Sequence, residues 1–142
     1  MTPIKNSVWF AKMENSVKNI LIDDYMSDII EKYIFSTGFM GLKCKEDSLY
    51  YIWEMINSDN FLTHKNNLST GTLMSSISNS SIVNYKYPIP SHNILKIFND
   101  NLKNINKNIY TNIKQNQILL DLRDILLPKL MKGEINLNNI EI

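Results

Sequence analysis

The feature that most constrains this chain is a long amphipathic pattern in its C-terminal third. Large apolar residues recur there, the first six at steps of three or four: Ile94, Phe98, Leu102, Ile105, Ile109, Ile113 and Leu120. This spacing places their side chains on one stripe of an α-helix. A stripe of roughly nine turns is too long for a small domain to cover, so it predicts a second helix alongside. Beyond residue 117 the pattern is apolar on more than one face, and we expect burial on several sides there.

Proline, serine and glycine residues that terminate or cap helices lie at both ends of this helix. Pro88 and Pro90 stop the preceding region, and Ser91 follows as the predicted N-cap. Pro128 cannot donate a backbone hydrogen bond, so the helix is predicted to break or kink near Leu127. Gly133 is then the natural left-handed cap of the last short turn.

The residues before the helix predict a small mixed domain. Aromatic and β-branched runs favour strands at Ser7–Phe10 and Val17–Ile22, and a buried strand at Ile34–Leu42. Asp47 or Ser48 is positioned to cap a helix ending near Asn57, and a second short helix is predicted at Asp59–Lys65. Alternating residues from Val83 to Ile89 are typical of an edge strand. The predicted core comprises Phe10, Ile20, Ile34, Phe39, Leu42, Leu49, Trp53 and Ile56.

Small polar residues cluster between the second short helix and the edge strand. The group that could contact nucleic acid is Lys65, Asn67, Thr70, Gly71, Thr72, Ser75 and Ser76. Hydroxyls, backbone amides and a cation suit phosphate oxygens, and Asn or Lys side chains suit base edges. The same composition is also typical of an ordinary Ser/Thr turn, and the residues alone leave both readings open.

Charge adds a modest signal. The net charge of +1 does not by itself indicate a nucleic-acid-binding protein. The helical region is nevertheless basic, with Asp100, Asp121 and Asp124 set against Lys96, Lys103, Lys107, Lys114, Arg123, Lys129 and Lys132. Lysines that solvate an outer helix face would give the same pattern.

Enzymatic motifs are missing from the sequence. It has no glycine-rich phosphate loop and no Gly-x-Ser-x-Gly elbow. Cys44 lies between Lys43 and Lys45, which would favour a thiolate, but a lone cysteine without a placed histidine is predicted to be structural. We interpret Asp23-Asp24 as a solvated turn, and the pair Asp121/Asp124 as helix surface charge. We therefore predict a non-enzyme without metal or cofactor.

The cellular compartment is predicted from the small number of cysteines and from the lack of a signal peptide or membrane-spanning segment in the sequence. A single cysteine excludes an internal disulfide and fits a reducing environment. No apolar run near the N-terminus has the character of a signal peptide, and the longest charge-free segment, residues 66–85, is rich in Ser, Thr and Asn. The expected location is the cytoplasm, with no membrane partner.

The end of the helical pattern resembles a known family. Residues 122–135 read Leu-Arg-Asp-Ile-Leu-Leu-Pro-Lys-Leu-Met-Lys-Gly-Glu-Ile. This resembles the end of a conserved region in specificity (S) subunits of type I restriction–modification systems. Shorter segments at residues 8–13, 35–42, 68–72 and 88–90 look, in that order, like the second half of a target-recognition domain. The resemblance covers about residues 8–135.

The resemblance implies an organisation and a function. The expected fold is α+β, with the C-terminal portion of a target-recognition domain at residues 1–90. The conserved long helix at residues 91–133 pairs as a coiled coil, and a short extension follows at 134–142. Helix pairing is assigned to Phe98, Leu102, Ile105, Ile109, Ile113 and Leu120, and partner-subunit contact to Leu122, Arg123, Leu126, Leu127 and Leu130.

The implied partners are double-stranded DNA and the modification (methyltransferase) and restriction subunits, which supply the catalysis. Family members carry two recognition domains, each followed by a conserved helix, and this chain has one of each. Its helix would therefore pair with that of a second copy. The alternative is a helical scaffold or inactive remnant that assembles with partner subunits but does not bind DNA.

Overall fold

The computed structural model describes residues 1–68, 77, 82 and 84–135, and it confirms the α+β class. Its elements are, in order, β1 (Ser7–Ala11), β2 (Asn19–Ile22), α1 (Ser27–Lys32), β3 (Phe39–Lys43), a 3₁₀ turn (Glu46–Ser48), α2 (Leu49–Ile56), α3 (Asp59–Asn67) and α4 (His92–Met131). The chain forms two units, Met1–Lys103 and Asn104–Ile142. The first unit therefore includes the first three turns of α4, beyond the boundary predicted at residue 90.

A three-stranded antiparallel sheet organises the first unit. β1 lies in the middle and pairs with β2 on one side and β3 on the other. All five residues of β1 are buried, because both faces of this strand are covered. On one face the ring of Trp9 meets Phe35, with centroids 4.9 Å apart, and on the other Phe10 meets Phe61 of α3 at 5.1 Å. Successive side chains of a strand point to opposite faces, so one short strand supplies both layers of the core.

Most of the strands and helices of this unit were predicted from short stretches of the sequence. The first two predicted strands are confirmed as β1 and β2, and both short helices are confirmed as α2 and α3. The α2 cap prediction is wrong: the Ser48 side chain makes no capping bond, whereas Ser58 caps α3 by accepting from the Phe61 amide. The edge strand is also wrong, since residues 84–90 form no strand. Val83 lies outside the described residues.

The third strand begins later than predicted. β3 starts at Phe39, and a short helix that was not predicted, α1, occupies Ser27–Lys32. Ile34 lies between them with 83% of its surface exposed, so its assignment to the core is wrong. The remaining predicted core residues divide in two. Phe10, Leu49 and Ile56 are confirmed as buried, and four are partly exposed: Ile20, Phe39, Leu42 and Trp53.

The long helix α4 is confirmed, and it passes through Pro128 to end at Met131. A break near Leu127 is therefore wrong, and the other form of that prediction, a kink, stays a prediction. A proline removes one hydrogen bond, and here it does so in the exposed last turn, where water can serve the freed carbonyl. The left-handed cap is confirmed: Gly133 has φ of +69° and its amide donates to the Leu130 carbonyl at 3.0 Å. The Glu134 amide donates to the Lys129 carbonyl at 2.9 Å, which completes a Schellman motif.

Candidate functional site

The residues predicted to pair helices lie on an open face of α4. Ile105, Ile109 and Ile113 are 52%, 51% and 60% exposed. Phe98 and Leu120 are exposed as well, and Leu102 is half-buried. About half of the apolar surface of these side chains is still in contact with water, and burying it would be favourable. The stripe therefore exists as predicted, and pairing itself stays a prediction.

The residues predicted to contact partner subunits lie near the end of α4. Leu122, Arg123, Leu126, Leu127 and Leu130 are all exposed. Arg123 forms an ion pair with the neighbouring Asp124 at 2.7 Å. Ile118, Leu119 and Ile125 are exposed on the same segment, so its apolar surface extends around several sides of the helix. A single partner helix cannot cover such a surface, and a bundle can.

A different face of α4 attaches the helix to the first unit. The buried residues of α4 are Leu95 and Asn99. Each follows a stripe residue, Ile94 or Phe98, by one position, which is a rotation of about 100° around the helix axis. The attachment face lies beside the pairing stripe and overlaps its first residues, because the Phe98 ring also contacts the Tyr51 ring, with centroids 5.9 Å apart. The stripe residues Ile105, Ile109 and Ile113 remain exposed.

Asn99 performs the capping that Ser48 does not. Its side-chain oxygen accepts from the Tyr50 amide at 2.8 Å, and its side-chain nitrogen donates to the Glu46 carbonyl at 3.0 Å. Tyr50 is the second residue of α2, and its amide is one of those that an N-cap side chain normally satisfies. Because Asn99 is only 3% exposed, these bonds are shielded from water. The long helix therefore completes the start of α2 from 49 positions away.

A buried acidic network lies beside this attachment. Asp23 was predicted to be a solvated turn residue, but it is buried and accepts a hydrogen bond from the Tyr50 hydroxyl, whereas Asp24 is exposed as predicted. Burial raises the pKa of Asp23, although the bonds from Tyr50 and the Asp24 amide oppose the shift. Lys103 of α4 lies 3.5 Å from Asp24 and 3.4 Å from Glu46. Desolvation would lower the pKa of Lys103, but the charges of Asp23 and Asp24 outweigh it, and the pKa is raised.

The predicted nucleic-acid-binding residues can be located only in part. Thr70, Gly71, Thr72, Ser75 and Ser76 lie outside the described residues. Asn67 is exposed at the end of α3.

Lys65 is 2% exposed, and its ammonium group donates to the carbonyls of Ala11 and Ser16. Burial lowers the pKa of Lys65. These bonds direct the ammonium group into the protein, so we correct its assignment from a phosphate contact to a core cation that supports the β1–β2 turn.

The reactive-thiol alternative finds no geometric support. Cys44 is buried, its thiol lies 3.5 Å from the Leu42 carbonyl, and burial raises its pKa to about 11. Such a thiol stays protonated at neutral pH and is a poor nucleophile.

Over residues 1–68 and 84–135 no three His, Cys, Asp or Glu side chains form a group that could hold a metal ion. No helix within these ranges has the length and apolar character needed to cross a bilayer.

Comparison with known proteins returned no family model, no curated protein and no solved structure that matches this chain.

Proposed function

We propose that this chain is a non-catalytic DNA-recognition subunit that works inside a larger helical assembly, of the kind its sequence resembles in type I restriction–modification systems. The observation that carries the proposal is the open apolar stripe of α4, with Ile105, Ile109 and Ile113 each more than half exposed. A helix of 40 residues with such a stripe is typical of a chain that assembles through it.

Two kinds of contact follow from the two parts of α4. The narrow stripe over residues 105–113 suits one neighbouring helix, and a second copy of this chain supplies one with a matching stripe. The end of the helix, which is apolar on several sides, suits a bundle with helices of partner subunits. It is also the segment whose sequence resembles the conserved region, so both arguments assign partner contact to the same residues.

DNA recognition would then belong to the first unit. A symmetric dimer presents two identical recognition units, so its target would be a two-part symmetric sequence. Methyl transfer and cleavage would be supplied by the modification and restriction subunits. The chain itself would contribute binding energy and sequence choice.

The test combines assembly with binding on the full-length chain. A pool of duplexes with a randomised centre is passed over the immobilised protein at low salt, and the retained duplexes are sequenced after repeated rounds. We expect enrichment of a two-part symmetric motif, and an affinity that falls linearly with salt concentration on logarithmic axes. A dimeric chain that retains no duplex at low salt would contradict DNA recognition. That result would instead support the alternative of a helical scaffold, which the exposed stripe also favours.

A further inference from the structure

The first unit holds a cleft that none of the predicted sites includes. It lies where β1 ends and where β2 and β3 begin, and it has a volume of about 530 Å³. Its walls include Lys12 and Lys18 from the β1–β2 turn, and Ser36, Thr37 and Gly38 from the turn before β3. Lys18 and the three residues before β3 are exposed, so the cleft is open to solvent.

The chemistry of the cleft is that of an anion site. Two cations and three hydroxyl groups, those of Ser16, Ser36 and Thr37, line it, and no carboxylate does so in the described part of the chain. Glu14, the acidic residue of the same turn, is not among the lining residues. Neither lysine is in an ion pair with any carboxylate of residues 1–68 or 84–135. Their charge is therefore available to a ligand.

The backbone contributes further donors. The turn before β3 is closed by the Phe39 amide, which donates to the Ser36 carbonyl at 3.2 Å. The amides of Thr37 and Gly38 in the middle of this turn have no backbone acceptor among the described residues. The turn is held to the first strand because the Lys12 amide donates to the Gly38 carbonyl at 2.8 Å. Successive free amides on a fixed turn suit the oxygens of a phosphate group.

A second cleft in the first unit has a different charge. It has a volume of about 330 Å³ and lies beside the attachment of α4. Three carboxylates, Glu46, Asp47 and Asp100, line it together with basic residues, and Lys103 there is already paired with Glu46 and Asp24. An anion would meet repulsion in that cleft. The two clefts of the first unit thus differ in charge.

We infer that the cleft lined by Lys12, Lys18, Ser36 and Thr37 binds a phosphate oxyanion, and that the backbone of duplex DNA supplies it. The second part rests on the proposed function. It also fits the position of the predicted binding loop in sequence: the Ile77 amide, directly after that loop, donates to the Lys12 carbonyl at 3.2 Å. The cleft would hold the DNA backbone, while base contacts come from elsewhere.

The test uses the full chain with two probes. Chemical shifts of its backbone amides are followed while inorganic phosphate, and separately a 20-base-pair duplex of random sequence, are added. We expect both probes to shift the amides of Lys12, Thr37 and Gly38.

Matched variants separate this cleft from general surface charge. The double variant Lys12→Gln/Lys18→Gln should weaken duplex binding by about tenfold or more and reduce the salt slope by about 2. The control Lys43→Gln/Lys45→Gln removes the same charge from two exposed positions, one at the far end of β3 and one just after it, about a Debye length away at 0.1 M salt. We expect it to weaken binding by less than about threefold.

The outcomes are distinguishable. Phosphate shifts at the cleft together with a duplex affinity that responds only to the control lysines, or to neither pair, would overturn the DNA assignment. If neither probe changes the chemical shifts of the cleft amides, the anion site is overturned altogether, even if the duplex binds at other residues. Failure of the proposed function is a separate result, in which no duplex binds at all. In that case, phosphate shifts at the cleft would support the anion site and overturn its assignment to DNA.

Discussion

Two regions of this chain use the same kinds of apolar residue in opposite ways. In the unit Met1–Lys103, Val8, Phe10 and Ile22 are fully buried. In α4 beyond residue 103, isoleucines at helical spacing remain more than half exposed. Burial of such a side chain contributes roughly 1.5–3 kcal/mol, so the first region obtains its stability from its own contacts and the second does not. The difference teaches that the spacing of apolar residues can specify a helix whose apolar side chains its own chain leaves uncovered.

The largest expected effect comes from charging the open stripe. Ile105→Asp together with Ile109→Asp should abolish the predicted dimer and reduce helix content, because burial of the exposed half of four isoleucines per dimer would contribute about 3 kcal/mol or more. Sedimentation measures the first effect, and far-ultraviolet circular dichroism the second. Fluorescence of the two tryptophans, Trp9 and Trp53, should be unchanged, since both lie in the first unit.

Asn104→Asp with Asn108→Asp is the matched control, because it adds the same two charges at exposed polar positions. It should leave both the dimer and the helix content intact. An unmodified chain that sediments as a well-folded monomer at micromolar concentration would remove the basis of the comparison.

The second effect concerns Asn99, which belongs to α4 but serves the first unit. Asn99→Ala leaves the Tyr50 amide and the Glu46 carbonyl without partners, and it should lower the free energy of unfolding by about 3 kcal/mol. Urea unfolding followed by tryptophan fluorescence measures this change. The dimer should persist, because Asn99 lies on the attachment face.

Asn101→Ala, at an exposed position two residues further on, is the control and should change stability by less than about 0.5 kcal/mol. Equal effects of the two alanine substitutions would show that the cap carries no special stability.

The third prediction tests how tightly the sheet is packed. A Cβ added to Gly41 would lie 2.8 Å from the ring of Trp9, its cross-strand neighbour. Gly41→Ala should therefore destabilise the first unit by about 2 kcal/mol. At Gly38 the nearest atom is the Ser36 hydroxyl oxygen at 3.4 Å, and Gly38→Ala should be within about 0.5 kcal/mol of the unmodified chain. Thermal unfolding of the two variants side by side decides the matter, and similar melting temperatures would argue against close packing over Trp9.

The smallest effect is a dependence on pH in the alkaline range. Burial, and then the neighbouring Asp23 carboxylate, raise the pKa of Tyr50 above its ordinary value of 10.0. The folded chain keeps this proton while the unfolded chain releases it, so stability should fall by about 1 kcal/mol between pH 10 and 11. The raised pKa of Lys103 acts in the same direction, because its stabilisation is lost as the pH rises above 10.5.

Tyr50→Phe should remove the contribution of Tyr50 to this slope, although it also lowers stability at neutral pH by removing the bond to Asp23. Tyr33→Phe, at an exposed position, should leave the slope unchanged. Urea unfolding at pH 9, 10 and 11 provides the measurement, and identical slopes in all three proteins would contradict the assignment.

The sequence by itself determined the features that depend on local preference. The strand at Ser7–Ala11, the helices α2 and α3, the long helix and the Gly133 cap all follow from residues within a few positions of one another. Periodicity also identified the open stripe, because an apolar row on a helix is visible in the spacing alone.

Only the tertiary structure decided which polar groups are buried and which apolar groups are not. Asp23 and Lys65 are predicted from the sequence to face solvent or DNA, yet both are buried, as is Asn99, and the partners of these three residues include groups 27 to 54 positions away. Ile34 reads as core and is exposed, because the chain turns before β3 begins. A polar side chain can be buried wherever the fold brings a complementary group to it, and that encounter leaves no mark in the neighbouring residues.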